Sequence, residues 1–303
     1  MAEPSIITDI YQNRARVTFS PGRHTYSIRV HGHVEKLFQP SVTGILGMKA
    51  KPQLVGWAAK QALLYVLKKL GAYESAQGAP PFTIDTREIH GWLADAQDGW
   101  KEDDTATTIG HVAHAFLHEE LKFRAGLTPH RPQLPLVYNP VMMPNFTPVM
   151  VEAANFAVRA GLEWFNEHDI KPLLMERPLW MPQDGFVGTP DLIAMIDGEL
   201  AIADYKTSKR IYPEYWLQLA ALQAMYMNEF PGQVIKRRWA INIKKDGTGL
   251  EAQKRGLEDY AADLDAFLAC WTLYRWDRAN DDYKKGSPIQ VLGDLDLLVA
   301  RPK

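Results

Sequence analysis

The sequence predicts a mixed α/β fold of the α+β kind, and three observations lead there. Short alternating apolar runs bounded by Gly- and Asp-containing turns mark strands, apolar residues recurring every three to four positions mark helices, and the two do not alternate as regular βαβ units. Nothing repeats at solenoid or propeller spacing, so packed layers are expected. A chain of 303 residues with 46% hydrophobic content can bury a sizeable core, as one large domain or two smaller ones. The 34 Lys and Arg against 36 Asp and Glu, a formal charge of −2, argue against a protein that coats nucleic acid by bulk electrostatics and leave a local basic groove open. No apolar run approaches membrane-span length, and Met1-Ala2-Glu3-Pro4-Ser5 lacks the basic and apolar regions of a signal peptide. The expected chain is therefore cytoplasmic, without a membrane partner. Cys270 is the single cysteine, which excludes an intramolecular disulfide, a multi-cysteine zinc site and an iron–sulfur cluster.

Taken in order, residues 26–30 and 33–37 alternate around His31-Gly32 like a hairpin, and Pro40-Ser41-Val42-Thr43 offers a cap for a short helix. Residues 53–70 and 86–97 carry helical spacing. Thr107 or Thr108 can cap a further helix that runs to about residue 123 through Ile109, Val112, Ala113 and Phe116. Residues 125–148 then hold Pro129, Pro132, Pro135, Pro140, Pro144 and Pro148, a density of missing amide donors that neither helix nor central strand survives. A loop of that length is either a functional flap or a disordered linker. Thr147-Pro148 looks like a cap with proline in the first turn, opening a helix through about residue 168. From Leu173, turn signals at Gln183-Asp184-Gly185 and Asp197-Gly198 predict a three-stranded antiparallel meander. A largely buried helix follows over residues 216–226, then a strand over 234–244 with Asp246-Gly247 as its turn. Leu257, Tyr260, Leu264, Phe267, Trp271 and Tyr274 trace one face of a closing helix.

The chemistry concentrates in Gly188-Thr189-Pro190-Asp191 and Asp204-Tyr205-Lys206-Thr207-Ser208. If Asp197-Gly198 is a two-residue type I′ turn, Ile196 faces Glu199, and counting back along both strands places Asp191 opposite Asp204. Alternation by two puts Lys206 on the same face. The neighbours Leu192, Ile193, Ala194, Ile202 and Ala203 are apolar, so the acids are poorly solvated. Two carboxylates held that close repel, and either one takes a proton or a cation sits between them. Oxygen ligands favour Mg²⁺ or Mn²⁺, whose open positions bind substrate phosphate. Lys206 beside such an ion could orient or deprotonate a water, or neutralise charge on a phosphoryl oxygen. The plainer reading makes these residues a solvent-facing salt-bridge cluster, which the apolar flanks and the in-register turn disfavour. Gln218 sits among Trp216, Leu217, Leu219, Ala220, Ala221 and Leu222, where an amide needs a partner, either in the site or on a backbone carbonyl.

At these residues the sequence resembles the PD-(D/E)XK nuclease superfamily, in its RecB-type branch with the mitochondrial genome-maintenance exonucleases and related phage enzymes. The resemblance spans roughly residues 110–226, in order: Gly-x-x-x-His at Gly110 to His114, G-x-x-D at Gly188 to Asp191, D-x-K at Asp204 to Lys206, and the start of Q-L-x-x-Y at Gln218-Leu219. Pro40-Ser41-Val42-Thr43-Gly44-Ile45-Leu46 and Lys51-Pro52-x-Leu54-x-x-Trp57 look like the opening segment of the same branch. The resemblance implies a restriction-endonuclease-like core, a central mixed sheet flanked by helices. It implies one nuclease domain over residues 1–303, with an integral N-terminal region 1–104, a core 105–279 holding the Pro-rich loop, and a tail 280–303. His114, Asp191, Asp204 and the Tyr205 carbonyl would hold the metal, Lys206 would serve the attacking water, Gln218 would position the lysine or the substrate, and Glu176 would add an outer carboxylate or a ligand to a second metal. If Asp184-Gly185 is also a two-residue turn, Glu176 faces Ile193 and lands diagonal to Asp191 on the same face. The expected activity is metal-dependent exonucleolytic hydrolysis of DNA, single-stranded or with free ends. A non-catalytic nucleic-acid binder and a structure-specific endonuclease are the alternatives. Two positions depart from the family: Leu222 stands where its tyrosine would be, with Tyr226 one turn later, and His118 where an acidic residue is common.

Ser41, Thr43, Thr207, Ser208, Lys209 and Arg210 are candidate substrate contacts, and Lys236-Arg237-Arg238 and Lys244-Lys245 are weaker basic candidates. Trp57 or Trp180 could stack on unpaired bases, although core packing is the default for most tryptophans. His111, His114 and His118 share a helical face, but three ligands on one helix seldom converge on a tetrahedral zinc ion.

Overall fold

The computed structural model describes residues 5–21, 25–49, 62–72, 87–92, 105–139 and 146–280. The chain is mixed α+β and divides into two compact units, Met1–Met48 with Ile109–Lys303, and Lys49–Thr108. In the second unit residues 62–72 and 87–92 are helical. The rest of the helices expected there, with Lys51, Pro52, Leu54 and Trp57, lies outside the described residues.

The first unit opens with a four-stranded antiparallel sheet, β1 (Ile6–Ile10), β2 (Ala15–Ser20), β3 (Thr25–Val30) and β4 (Lys36–Gln39), in chain order. The turn joining β1 to β2 was not legible in the sequence. Tyr11, Gln12 and Asn13 all take positive φ, 50°, 54° and 65°, a conformation for which glycine is the usual signal. The hairpin expected at His31-Gly32 also shifts: Arg29 pairs with Lys36, two residues later than a two-residue turn would allow. A shift of two keeps every side chain on its expected face. Ser41 then caps the short helix α1 (Val42–Leu46), accepting from the Gly44 amide at 3.0 Å.

Helices α2 (Thr105–Arg124) and α3 (Pro148–Glu167) follow, the latter capped by Thr147 as its Thr-Pro start implies. The chain continues through β5 (Ile170–Met175), β6 (Leu179–Met181), β7 (Phe186–Gly188), β8 (Leu192–Ile196), β9 (Glu199–Lys206), α4 (Glu214–Glu229), β10 (Arg237–Ile243), β11 (Leu250–Arg255) and α5 (Tyr260–Asn280). The central sheet has the order β11-β10-β9-β8-β5, with β9 and β10 parallel and the other neighbours antiparallel. Leu192, Ala194, Ala203, Tyr205 and Ile241 face α2 and α3, whereas Ile193, Ile202 and Ala240 face α1, α4 and α5. A sheet covered on both faces explains the near-continuous apolar runs of β8 and β9.

The expected meander exists as β5, β8 and β9, but β6 and β7 leave it as a separate two-stranded ribbon. The residues between the two parts, 176–178 and 189–191, include Pro178 and Pro190, which have no amide to give to a ladder. The turn at Asp184-Gly185 is correspondingly part of a four-residue loop, with Met181 paired to Phe186. The ribbon buries Trp180 and Val187 against Ile10, Val17, Tyr26, Ile28 and Leu37 of the N-terminal sheet. Trp180 is fully buried, so it is core and not a stacking surface for bases.

Residues 129–139 of the Pro-rich segment carry no regular structure, as expected, and 140–145 lie outside the described residues. The loop is pinned rather than loose. Arg131 grips Glu120 of α2 through two hydrogen bonds, 2.7 and 3.0 Å, and Asn155 of α3 bonds both the amide and the carbonyl of Leu136. Burial pushes the Glu120 carboxyl up, but Arg131 and Arg124 outweigh it and hold the group below its ordinary 4.5. Its contribution is therefore present above that value and lost as pH falls through the lower folded one. Glu120→Gln is expected to destabilise the protein by about 2 kcal/mol at neutral pH, less than a fully buried pair because the arginines reach solvent. Urea unfolding should show the gap between parent and variant closing in the acid range.

Candidate active site

Asp197 and Gly198 have φ of 51° and 83°, as a type I′ turn requires, and the β8–β9 register runs unbroken from Ile196 opposite Glu199 to Leu192 opposite Ala203. Continued by one step, that register sets Asp191, just before β8, against Asp204 near the end of β9, and the two carboxylates lie close enough to repel. The Oδ2 atom of Asp191 accepts from the Tyr205 amide at 2.7 Å. Asp204 is the deeper acid, its side chain only 3% exposed.

Both covering layers reach this end of the sheet. From α2, His114 brings Nδ1 within 3.6 Å of Asp191 Oδ2 and sets its ring edge-on to Tyr205. From α4, Gln218 accepts from Lys206 Nζ at 3.1 Å and donates to Asp204 Oδ1 at 3.3 Å. Lys206 Nζ also lies in close contact with Asp204 Oδ2. Thus the amide in the apolar helix has its partners, and they belong to the site. Two glycines allow the approach. A Cβ on Gly110 would stand 3.0 Å from Thr207 Oγ1, and one on Gly188 would stand 2.8 Å from Leu222 and 3.1 Å from Val42.

The electrostatics follow from burial and proximity. Burial raises Asp204 to about 6, with Asp191 adding to the rise and Lys206 opposing it. Burial also pushes Asp191 up, but His114, Lys206 and the Tyr205 amide outweigh it and leave the group below its usual range. For Lys206, burial favours the neutral amine and the two carboxylates override that, so its pKa is raised. His114 is likewise raised, burial being outweighed by Asp191. The donors fit a hard cation, since two neighbouring carboxylates offer oxygen ligands, and in this structure the Lys206 ammonium holds the Asp204 Oδ2 atom. Among the described residues no three His, Cys, Asp or Glu side chains form a ready-made metal cluster.

Other expected residues fall elsewhere. Glu176 does not face Ile193, which pairs with Leu174 instead. It stands opposite Asp191, donating its amide to the Asp191 carbonyl at 3.2 Å, and its φ of 47° turns the carboxylate to His118 Nδ1 at 3.0 Å. His111 is exposed, so the three histidines of α2 go separate ways. Ser41 uses its hydroxyl in the α1 cap, and Thr43 is exposed. Ser208 bonds the Arg210 carbonyl at 2.7 Å, while Lys209 and Arg210 are exposed just beyond β9. Lys236 is exposed, but Arg237 pairs with Glu199, Arg238 is buried against Asp263, and Lys244 lies 3.9 Å from Glu251. Tyr226 donates to Gln233, away from the carboxylates. The residue missed in the sequence is Tyr215, whose ring lies 4.9 Å from Lys206 Nζ. Its signal was its place one helical turn before Gln218 on α4, the same side of the helix.

No family model and no curated protein matches this chain. Among solved structures it is similar to a protein from Eubacterium rectale named "Putative exonuclease", at 16% identity and TM-score 0.35, covering 68% of this chain and 84% of that one. It is also similar to SSO0001, at 10% identity and TM-score 0.23, covering 58% and 96%. Both scores lie below 0.5, too low for either likeness to bear on activity.

Gly188→Ala is expected to destabilise the fold by about 2 kcal/mol, because the methyl group would overpack Leu222, Val42 and Met225. Denaturant unfolding without added metal checks this.

Proposed function

We propose that this chain is a Mg²⁺- or Mn²⁺-dependent deoxyribonuclease that hydrolyses phosphodiester bonds from DNA ends. The observation that carries the reading is the convergence of Asp191, Asp204, Lys206 and Gln218 at one end of β8 and β9, with His114 on Asp191. A surface salt bridge would not bury Asp204 or commit an amide from a packed helix to both members of the pair.

In this reading Asp191, Asp204, His114 and the Tyr205 carbonyl hold the ion. A bound divalent cation would polarise the scissile phosphate and lower the pKa of an attacking water. Gln218 sets the lysine's position through its 3.1 Å bond, and Tyr215 supports the ammonium by a cation–π contact. Lys206 orients the water or neutralises charge growing on a phosphoryl oxygen. Lys209 and Arg210, exposed just past the catalytic strand, are placed to meet the DNA backbone, with Thr207 and Ser208 between them and Lys206. The end-dependent part of the proposal rests on the order of motifs shared with RecB-type exonucleases.

The test is digestion of end-labelled linear single- and double-stranded DNA beside circular single strands, with Mg²⁺, with Mn²⁺ and with EDTA. Cleavage is expected only with metal and only of linear substrates. Asp204→Asn and Lys206→Ala should each reduce the rate by about 1,000-fold or more while remaining folded. Efficient cutting of circles would defeat the exonuclease reading, and undiminished activity in both variants would defeat the site.

A further inference from the structure

The N-terminal sheet buries one face against the β6–β7 ribbon, so alternate residues of its strands project from the other. Register places Asp9, Arg16, Arg29 and Lys36 in one row across β1 to β4, and Ile7, Thr18, Ser27 and Phe38 in the next. Arg16 is committed to Asp9 through two bonds, 2.7 and 3.2 Å. Arg29 and Lys36 remain, both exposed and directly opposite one another. Like charges facing each other on adjacent strands weaken a sheet, and an anion laid along the row removes that penalty. Beside the row Phe38 is 63% exposed, with Lys36 Nζ 5.4 Å from its ring centre. A depression of about 260 Å³ lies on the same face, lined by Ile7, Arg16, Thr18, Ser27, Arg29 and Lys36.

We propose that this open face is a platform for an unpaired DNA strand, with Arg29 and Lys36 on its phosphates and Phe38 stacked on a base. The choice of DNA rests on the deoxyribonuclease reading. The choice of an unpaired strand rests on the ring: cations alone serve any polyanion, whereas an exposed aromatic beside them suits a polyanion carrying unstacked bases. An acidic protein segment would satisfy the charges and leave Phe38 without a function. The platform is also fastened to the catalytic hairpin. Tyr26 on β3 bonds Thr189, two residues before Asp191, at 3.0 Å. Pro40, the residue after β4, accepts from the Val187 amide at 3.1 Å. A strand gripped on β3 and β4 is thereby held at a fixed offset from the two carboxylates.

The experiment measures binding of labelled oligo-dT to the full chain in EDTA by fluorescence anisotropy across a range of salt. Phe38→Ala should weaken binding about 10-fold with an unchanged salt slope. Arg29→Gln combined with Lys36→Gln should weaken it by a similar factor and flatten the slope. All three side chains are exposed, so circular dichroism should match the parent, and urea unfolding should show the Arg29→Gln, Lys36→Gln protein no less stable, because the like-charge pair is gone. Affinity unchanged in both variants overturns the platform. So does polyglutamate binding as tight as that of oligo-dT, which would mark the face as a site for acidic protein segments. Because binding in EDTA requires no turnover, this result stands apart from that of the digestion assay: a protein that cuts nothing can still confirm the platform, and an active nuclease can still lack it.

Discussion

Two carboxylates set facing each other at the end of a covered sheet are the constraint on which this structure turns. Neither can be left there as an isolated charge, because desolvation in such a place favours neutralisation. The surroundings are arranged around that demand. Lys206 comes from the same strand as Asp204, Gln218 from the helix on one side, His114 from the helix on the other, and the Tyr205 amide from the ladder itself. A site fed from both layers needs both layers close. That is what Gly110 gives against Thr207, and Gly188 against Leu222 and Val42.

The break between the central sheet and its ribbon is the second organising feature. The pairing of β5 with β8 beyond the bulge at Leu173 and the pairing of β6 with β7 share one register, so the two parts are a single long hairpin opened in the middle. Pro178 and Pro190 stand on opposite strands of the opening and cannot close it. Release from the pleat lets Asp191 turn its carboxylate to the Tyr205 amide. It also leaves Glu176 in a left-handed conformation that is unusual for a residue with a side chain, held by its amide bond to Asp191 and the 3.0 Å contact of its carboxylate with His118 Nδ1. Beyond the opening, the ribbon carries the N-terminal sheet through Tyr11, whose hydroxyl donates to the Trp180 carbonyl and accepts from Asn228 of α4.

Legibility in the sequence followed the locality of the signal. Asp197-Gly198 is a strong turn signal two residues long, and from it the facing of Asp191 and Asp204 could be counted. Thr147-Pro148 and Ser41 likewise announce their caps within four residues. The β1–β2 turn was hidden because Tyr11, Gln12 and Asn13 adopt positive φ with no glycine among them. The position of Glu176 was misjudged because a count through Asp184-Gly185 assumes a two-residue turn, and the chain makes a longer loop there. Trp180 can be read as a stacking surface, against the default of core packing, until the sheet that covers it is known.

The sequence by itself determined the mixed α+β class, the central hairpin with its two acids and lysine, and the helix that carries Gln218. Each of these is written in residues close together, where turn chemistry and periodicity act without reference to distant parts of the chain. Only the tertiary structure decided that Tyr215 lies under Lys206, that Glu176 turns to His118, that Arg238 is buried on Asp263, and that Arg29, Lys36 and Phe38 share an open face. Those are outcomes of packing between remote segments. A side chain's partner there depends on which surface arrives against it, and no local pattern encodes that.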